Sequence, residues 1–281
     1  MNILDKLDKL DRRWLYVMIT AVVIVPLIIK PKAHPTIIFP EVRSAYDTLE
    51  KVPADKLVIV SCIWGPGTQA ENGPQTEAIY RHLFMSHKKF AVIAWDPTGS
   101  TLTYEMGKRI ADELGMKYGT DWVHFGYRVP IIYSTVKSMA QDFQKTFSKD
   151  RNGTPTSELP VTKNIKGSKE IGAVVEVTPS STLESWIAYF NGPYNVPLIY
   201  CPTAVMATEA FPYLDSKQIQ GMLNGVIGAA QYETLIGEGN KATDASATAW
   251  ALSGAHVFIV LLIMLGNVLY FFQVRKRKVD K

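Results

Sequence analysis

Apolar residues fall into two patterns along the chain. Trp14–Ile29 (WLYVMITAVVIVPLII) and Ala249–Phe272 (AWALSGAHVFIVLLIMLGNVLYFF) are uncharged apolar runs, and between them short apolar stretches alternate with segments of helical period. At about 1.5 Å per residue the second run extends about 36 Å, enough for a bilayer core of about 30 Å. The first reaches roughly 24 Å and needs its flanks or a local thinning of the bilayer. The pattern predicts transmembrane helices at residues 14–30 and 248–273, with tails at 1–13 and 274–281 and a middle domain at 31–247. The first run reads as a retained signal anchor rather than a cleaved signal peptide. Its apolar stretch is long for a signal peptide, and Pro31–Pro35 (PKAHP) is a poor cleavage site.

In the middle region, strands are expected at Lys56–Ile63, Phe90–Trp95, Asp121–Tyr127, Ile171–Thr178 and Val196–Cys201. The runs LVIVSCI, FAVIAW and GAVVEV are continuous rather than alternating, as expected of strands covered on both faces. Leu102, Met106, Ile110 and Leu114 recur every four residues, and Val136, Met139, Phe143 and Phe147 at three and four. Further helices are expected at Leu183–Phe190 and Gln218–Ile236. Strand and helix in alternation predict an α/β fold, a mostly parallel sheet with helices on both faces, flanked by one transmembrane helix at each end. Ser148–Gly167, polar and holding two prolines and two glycines, reads either as a long loop between two lobes or as an ordered excursion across the sheet.

Charge orients this arrangement. Residues 33–248 carry a net charge of −3, with 19 basic against 22 acidic side chains, whereas residues 1–32 carry +3 and residues 249–281 carry +4. Lys6, Lys9, Arg12 and Arg13 precede the first span; Arg275, Lys276, Arg277, Lys278 and Lys281 follow the second. By the positive-inside rule both tails are expected in the cytoplasm and the main domain outside it, in the cell (inner) membrane. The pI of 8.8 thus comes from the tails and is explained by topology and anionic lipid headgroups, not by nucleic acid.

Candidate chemistry concentrates at predicted strand ends. Leu57–Tyr80 runs from a strand through a glycine-rich loop, Trp64–Gly73, into a helix, the order of parts in a phosphate cradle. A Walker loop needs Lys and Ser/Thr after its last glycine, but Gly73 is followed by Pro74-Gln75. The dinucleotide fingerprint lacks its third glycine after Gly65 and Gly67, Pro66 removes an amide donor, and Glu71 places negative charge where an anion would sit. The surviving expectation is generic: Thr76 or nearby amides open a helix, and open α/β sheets place ligands beyond the carboxyl ends of their strands. Trp64, Gly65, Gly67 and Glu71 are therefore candidate ligand or partner contacts, with Asp96, Thr98, Cys201 and Thr203 from neighbouring strand ends. Asp96-Pro-Thr-Gly resembles the Asp-Lys-Thr-Gly motif of ion pumps, but proline replaces lysine, and the sequence is a good turn. Cys62 and Cys201 read first as buried thiols; a disulfide and a nucleophilic Cys62 are the alternatives. His82 and His87 lie about 140° apart on a helix and do not converge on a metal. Asp112–Glu113 and Glu105–Arg109 read as solvated helix faces. No metal, cofactor or catalytic set is expected.

Two features point to helix packing. Ala249, His256, Asn267 and Tyr270 fall on one side of the second span, and polar residues in a span usually face protein, here the first span or another subunit. Gly221, Gly225 and Gly228 smooth one face of the expected Gln218–Ile236 helix, although each glycine weakens it by about 1 kcal/mol.

Asp11–Trp14 (DRRW), Tyr118–Trp122 (YGTDW), Ser157–Val161 (SELPV), Pro212–Glu233 (PYL…QIQGMLNGVIGAAQYE) and Gly266–Asn267 in the last span together resemble a family of uncharacterised bacterial two-span membrane proteins. The resemblance covers nearly the full length and implies a single architecture; it carries no activity. The leading functional expectation is a non-catalytic domain, a subunit or scaffold of a larger membrane assembly that meets other membrane subunits. The alternative is an extracytoplasmic domain that binds or senses a small molecule at the strand-end loops. A membrane-anchored hydrolase or transferase ranks third.

Overall fold

The computed structural model of the protein describes residues 11–31, 37–237 and 244–279. The chain divides into two compact units, Met1–Lys32 with Ala242–Lys281, and Ala33–Lys241. Lys6, Lys9 and Lys281, used above for orientation, lie outside the described residues, as does His34.

The first unit is a pair of helices, α1 (Arg12–Ile29) and the long helix Asp244–Val279. Both contain a stretch long and apolar enough to cross a membrane, Arg12–Ile29 and Ala245–Phe272. Asp11 starts α1 by accepting a hydrogen bond from the Arg13 amide at 2.9 Å, and Lys30 closes it in the left-handed region at φ 48°. The two helices meet closely at Gly254, where a Cβ would lie 3.1 Å from Val22 Cγ1. Partly covered residues include Leu15, Ile19, Val22 and Pro26 on α1 and Gly254, Phe258, Leu262 and Leu269 on the long helix. These spacings of three, four and seven define one stripe on each helix.

The second unit opens with α2 (Pro40–Glu50) and then alternates strand and helix. In order come β1 (Leu57–Cys62), α3 (Gln69–Met85), β2 (Phe90–Ala94), α4 (Pro97–Leu114), β3 (Trp122–Tyr127), α5 (Ile132–Gln141) and α6 (Phe143–Thr146). There follow β4 (Ile171–Thr178), α7 (Leu183–Trp186), α8 (Gly192–Tyr194), β5 (Leu198–Pro202), α9 (Ala207–Asp215), β6 (Gly221–Met222) and α10 (Gly225–Leu235). The Asp244–Val279 helix is α11. All pairings are parallel, in the order β3-β2-β1-β4-β5-β6. This is the strand order of doubly wound dinucleotide-binding sheets, with its switch point between β1 and β4. The five expected strands form, and apart from the exposed Tyr127 at the end of β3 and the half-buried Gly172 each is buried along its length. One face packs against α2, α3, α4 and α10, and the other against α5, α6, α7 and α9 with the 159–165 segment.

Three local expectations are corrected. Gln218–Ile236 is not one helix: Gly221–Met222 is an edge strand, and α10 begins only at Gly225, whose φ of 53° breaks any continuous helix. Gly221 accordingly lies outside the helix that holds Gly225 and Gly228, but each of the three permits a close approach. A Cβ on Gly221 would lie 2.3 Å from the Ala45 nitrogen, on Gly225 2.8 Å from Glu71 Oε2, and on Gly228 2.7 Å from the Leu223 carbonyl carbon. Thr76 does not open a helix; α3 starts seven residues earlier, after a single 3₁₀ turn, and Thr76 lies inside it. The Val136–Phe147 period is split at Asp142, whose extended backbone stops α5 and whose carboxylate caps α6 through the Lys145 amide at 3.0 Å.

The 148–167 segment is the ordered excursion rather than a divide between lobes. Leu159, Val161 and Ile165 are buried in the core, and the Gln144 amide donates to the Thr162 and Ile165 carbonyls at 2.8 and 3.1 Å.

Candidate functional site

At the carboxyl edge of the sheet, the residues singled out from sequence form two joints. In the first, Gly65 packs against the Asp96 carboxylate, 2.8 Å from its virtual Cβ, and Gly99 lies so close to the Trp64 carbonyl that a Cβ would sit 2.0 Å from the oxygen. Asp96 is the N-cap of α4 and accepts from the Gly99 amide at 2.6 Å. Trp64 is fully buried and donates its indole N–H to Thr76 Oγ1 at 2.9 Å. In the second joint, Glu71 accepts from the Ala204 amide at 2.8 Å, tying α3 to the turn after β5. Behind it, the buried Gln75 amide donates to the Pro202 and Leu223 carbonyls at 2.8 and 2.7 Å. Thr203 is buried, and its amide donates to the Thr178 carbonyl. Gly67 has open space around it and Thr98 is exposed. The joints fill the edge beside the switch point, where a dinucleotide's pyrophosphate would need room.

Cys62 and Cys201 are both free and fully buried. Burial pushes the Cys62 thiol up to about 12 and raises that of Cys201 as well; neither is a thiolate poised for nucleophilic attack near neutral pH. His82 is held between the Tyr232 hydroxyl and Glu50 Oε1, the latter at 2.7 Å, and its pKa is lowered by burial. Among the described residues, no three His, Cys, Asp or Glu side chains gather as metal ligands would. Glu77, Arg81, Arg109 and Glu113 form an ion-pair network between α3 and α4, with contacts of 2.9 to 3.2 Å.

Open space lies on either side of the filled centre. Toward β4 and β5 is a cavity of about 120 Å³ lined by Ser181, Glu184, Tyr200, Glu209 and Tyr213 among others. Ser181 donates to Glu209 at 3.1 Å and Tyr213 to Glu184 at 3.3 Å. Beside it Glu176 is fully buried on β4, register partner of both Ser61 and Tyr200. Its Oε1 accepts from Thr182 and Trp186, Oε2 has no partner, and burial raises its pKa to about 7. The helix over it contains one π turn, Ile187–Asn191.

Toward β2 and β3 is an open groove of about 550 Å³, whose walls include Pro97, Ser100, Arg128, Lys149, Asp150 and Arg151. Arg151 reaches Ser100 Oγ at 3.2 Å and lies over the Tyr104 ring at 4.6 Å. Arg128 donates to the Lys149 carbonyl at 3.2 Å and lies over Phe147 at 5.2 Å, and burial lowers its pKa. His124, buried near Arg151, accepts the Gly126 N–H on Nδ1 at 2.8 Å. Its proton is therefore on Nε2, which donates to Thr103 Oγ1 at 3.0 Å, and Thr103 in turn donates to the Gly99 carbonyl at 2.7 Å. Burial and, second, the Arg151 charge push His124 down to about 3.

No family model, curated protein or solved structure matches this chain. Strand order alone does not assign a function.

Sequence reasoning missed both flanking spaces. Arg128 and Arg151 are 23 positions apart on loops, and Glu176 sits inside an apolar strand run. The one available signal was that charge: a carboxylate in GAVVEV, a stretch otherwise written for two-sided burial.

Proposed function

We propose that this protein is a non-catalytic membrane-anchored α/β domain that serves as a subunit or scaffold of a larger membrane assembly. The observation that carries this reading is the placement of polar side chains on α11. The first span covers the Gly254–Phe258–Leu262 stripe, whereas His256, Asn267 and Tyr270 are exposed, about 120–180° around the helix from the Phe258 position. An uncovered polar stripe on a span is costly against lipid and favourable against another polar or small-residue helix. The first span therefore does not supply the contact, and a helix of another membrane subunit is the proposed occupant. Both tails are proposed to be cytoplasmic and the α/β domain extracytoplasmic, on the charge distribution of the flanks.

The test is extraction from native membranes in mild detergent, followed by sizing and identification of co-migrating proteins. A defined complex is expected, and His256→Leu with Asn267→Leu should release the chain from it. Recovery of the wild type as a single chain, or an unchanged complex in the double variant, would overturn the assignment. A complex containing only copies of this chain would replace the proposed heterologous partner by self-association. A reporter fused after Lys281 tests the orientation.

A second reading, a domain that binds a small extracytoplasmic ligand, is supported by the groove beside β2 and β3.

A further inference from the structure

We infer that the groove beside β2 and β3 is an anion-binding site that takes a phosphate-monoester group, held by Arg128, Arg151 and Lys149. The inference rests on the domain alone and does not require the proposed assembly.

Three cations line one groove, and among the described residues none of them lies within ion-pair distance of a carboxylate. The nearest acid in sequence, Asp150, is engaged internally. Its Oδ2 accepts from the Tyr118 hydroxyl at 3.0 Å, its Oδ1 accepts from the Asn152 and Thr154 amides at 2.9 and 2.8 Å, and the residue is 6% exposed. Asp150 shapes the turn that presents its neighbours instead of neutralising them. Counting that carboxylate, the groove carries a formal charge of +2, which matches a dianion; a phosphate monoester carries between one and two negative charges near pH 7.

Both guanidinium groups are preorganised. Arg151 is stacked on Tyr104 and anchored by Ser100, and Arg128 is stacked on Phe147 and anchored by the Lys149 carbonyl. Stacked, planar guanidinium groups lose little further freedom when they take an oxyanion on two parallel N–H bonds. Arg128 also has a buried Nε with no hydrogen-bond partner, and its burial disfavours the charged form. A half-buried cation without a counter-charge is costly, and a bound anion would offset that cost. The space, about 550 Å³, is in the usual range for small-molecule sites. It also lies at the carboxyl edge of a parallel sheet, where ligands of such sheets bind.

The phosphate group can belong to a soluble metabolite or to a lipid headgroup, and the experiment separates the two. Full-length protein in detergent is titrated calorimetrically with glycerol 3-phosphate, inorganic phosphate and, at matched ionic strength, sodium chloride. In parallel, protein reconstituted with phosphatidic acid is compared with protein in neutral lipid. Saturable binding of glycerol 3-phosphate with no response to chloride is expected, weakened at least tenfold by Arg128→Gln with Arg151→Gln and several-fold by Lys149→Glu. Thermal melts in chloride check that the variants fold; if the double variant does not, the exposed Lys149→Glu and the charge-preserving Arg151→Lys, which loses the planar fork, decide the matter. Binding in the phosphatidic acid arm alone assigns the group to a lipid. Absence of saturable binding in every arm, or affinities unchanged within twofold in the folded variants, would overturn the site.

Discussion

Trp186 donates its indole N–H to Glu176 at 2.9 Å, and the other carboxylate oxygen of this fully buried residue has no partner. Burial is the leading cause of the rise of its pKa from 4.5 to about 7, opposed by the Thr182 and Trp186 hydrogen bonds. The folded state therefore holds a proton that the unfolded chain releases near pH 4.5. The contribution of Glu176 is fully present below that pH, is lost as pH rises, and is gone above about 7. Its size is on the order of 3 kcal/mol. Glu176→Gln, neutral at every pH, is expected to be more stable than the wild type at pH 8 and to lose that advantage at pH 4.5. Melting temperatures across this range check it; a pH-independent difference would place the raised pKa in doubt.

His124 acts in the opposite direction. Its pKa falls from 6.5 to about 3 because the ring is buried, with the Arg151 charge as a lesser cause. The unfolded chain takes a proton near pH 6.5 that the folded protein refuses. The stability contributed by the neutral ring is present above 6.5 and lost as pH falls toward 3. His124→Gln is expected to lower stability at pH 7.5 by about 1–3 kcal/mol through the orphaned Gly126 and Thr103 partners. The deficit should narrow in acid, as read from denaturant midpoints at pH 5 and 7.5.

Glycines around the sheet should differ sharply in their tolerance of a methyl group. Gly99→Ala and Gly221→Ala would drive a Cβ into backbone atoms at 2.0 and 2.3 Å, and each is expected to cost about 3 kcal/mol or more. Gly67→Ala meets nothing within 4 Å and should lie within about 0.5 kcal/mol of the wild type. Thermal denaturation of the three variants makes the comparison.

Both cysteines should be silent in the folded protein. With Cys62 and Cys201 buried and their thiol pKa values raised, iodoacetamide at pH 8 is expected to label neither until denaturant is added, when mass spectrometry should show two adducts. Labelling of the native chain would place a thiol at the surface.

The seam of the two spans is testable by geometry. Val22→Cys with Gly254→Cys should crosslink readily under mild oxidation, because a Cβ at Gly254 would lie 3.1 Å from Val22 Cγ1. Val22→Cys with His256→Cys should not, since His256 is exposed rather than part of the covered seam. Gly254→Leu is expected to weaken the pair.

The strands were legible because two-sided burial writes near-continuous apolar runs, as in Leu57–Cys62 and Ile171–Thr178. What escaped was set by single backbone positions or by distance in sequence. Gly225 at φ 53° turned an expected helix into strand, turn and helix, and two residues of β6 are too few to show a period. Trp64, Gly65 and Asp96 meet at one edge, but whether they enclose a space or fill it depends on ångström-scale approaches such as that of Gly99 to Trp64. The basic groove depends on the loops after β3 and α6 meeting where Arg128 donates to the Lys149 carbonyl, a contact that no local pattern encodes.

The seating of Gly221 against Ala45 also bears on the order of assembly. The Ser44 hydroxyl donates to the Gln220 carbonyl, and α2 packs along β6, so a segment emerging early from the ribosome has its resting place on a strand translated about 175 residues later. At roughly 5–20 residues per second that interval lasts about nine to thirty-five seconds. During it the apolar side of α2 formed by Val42, Ala45 and Leu49 lacks this part of its native cover. Until then this helix offers a chaperone, or a neighbouring nascent chain, an apolar surface that β6 later covers.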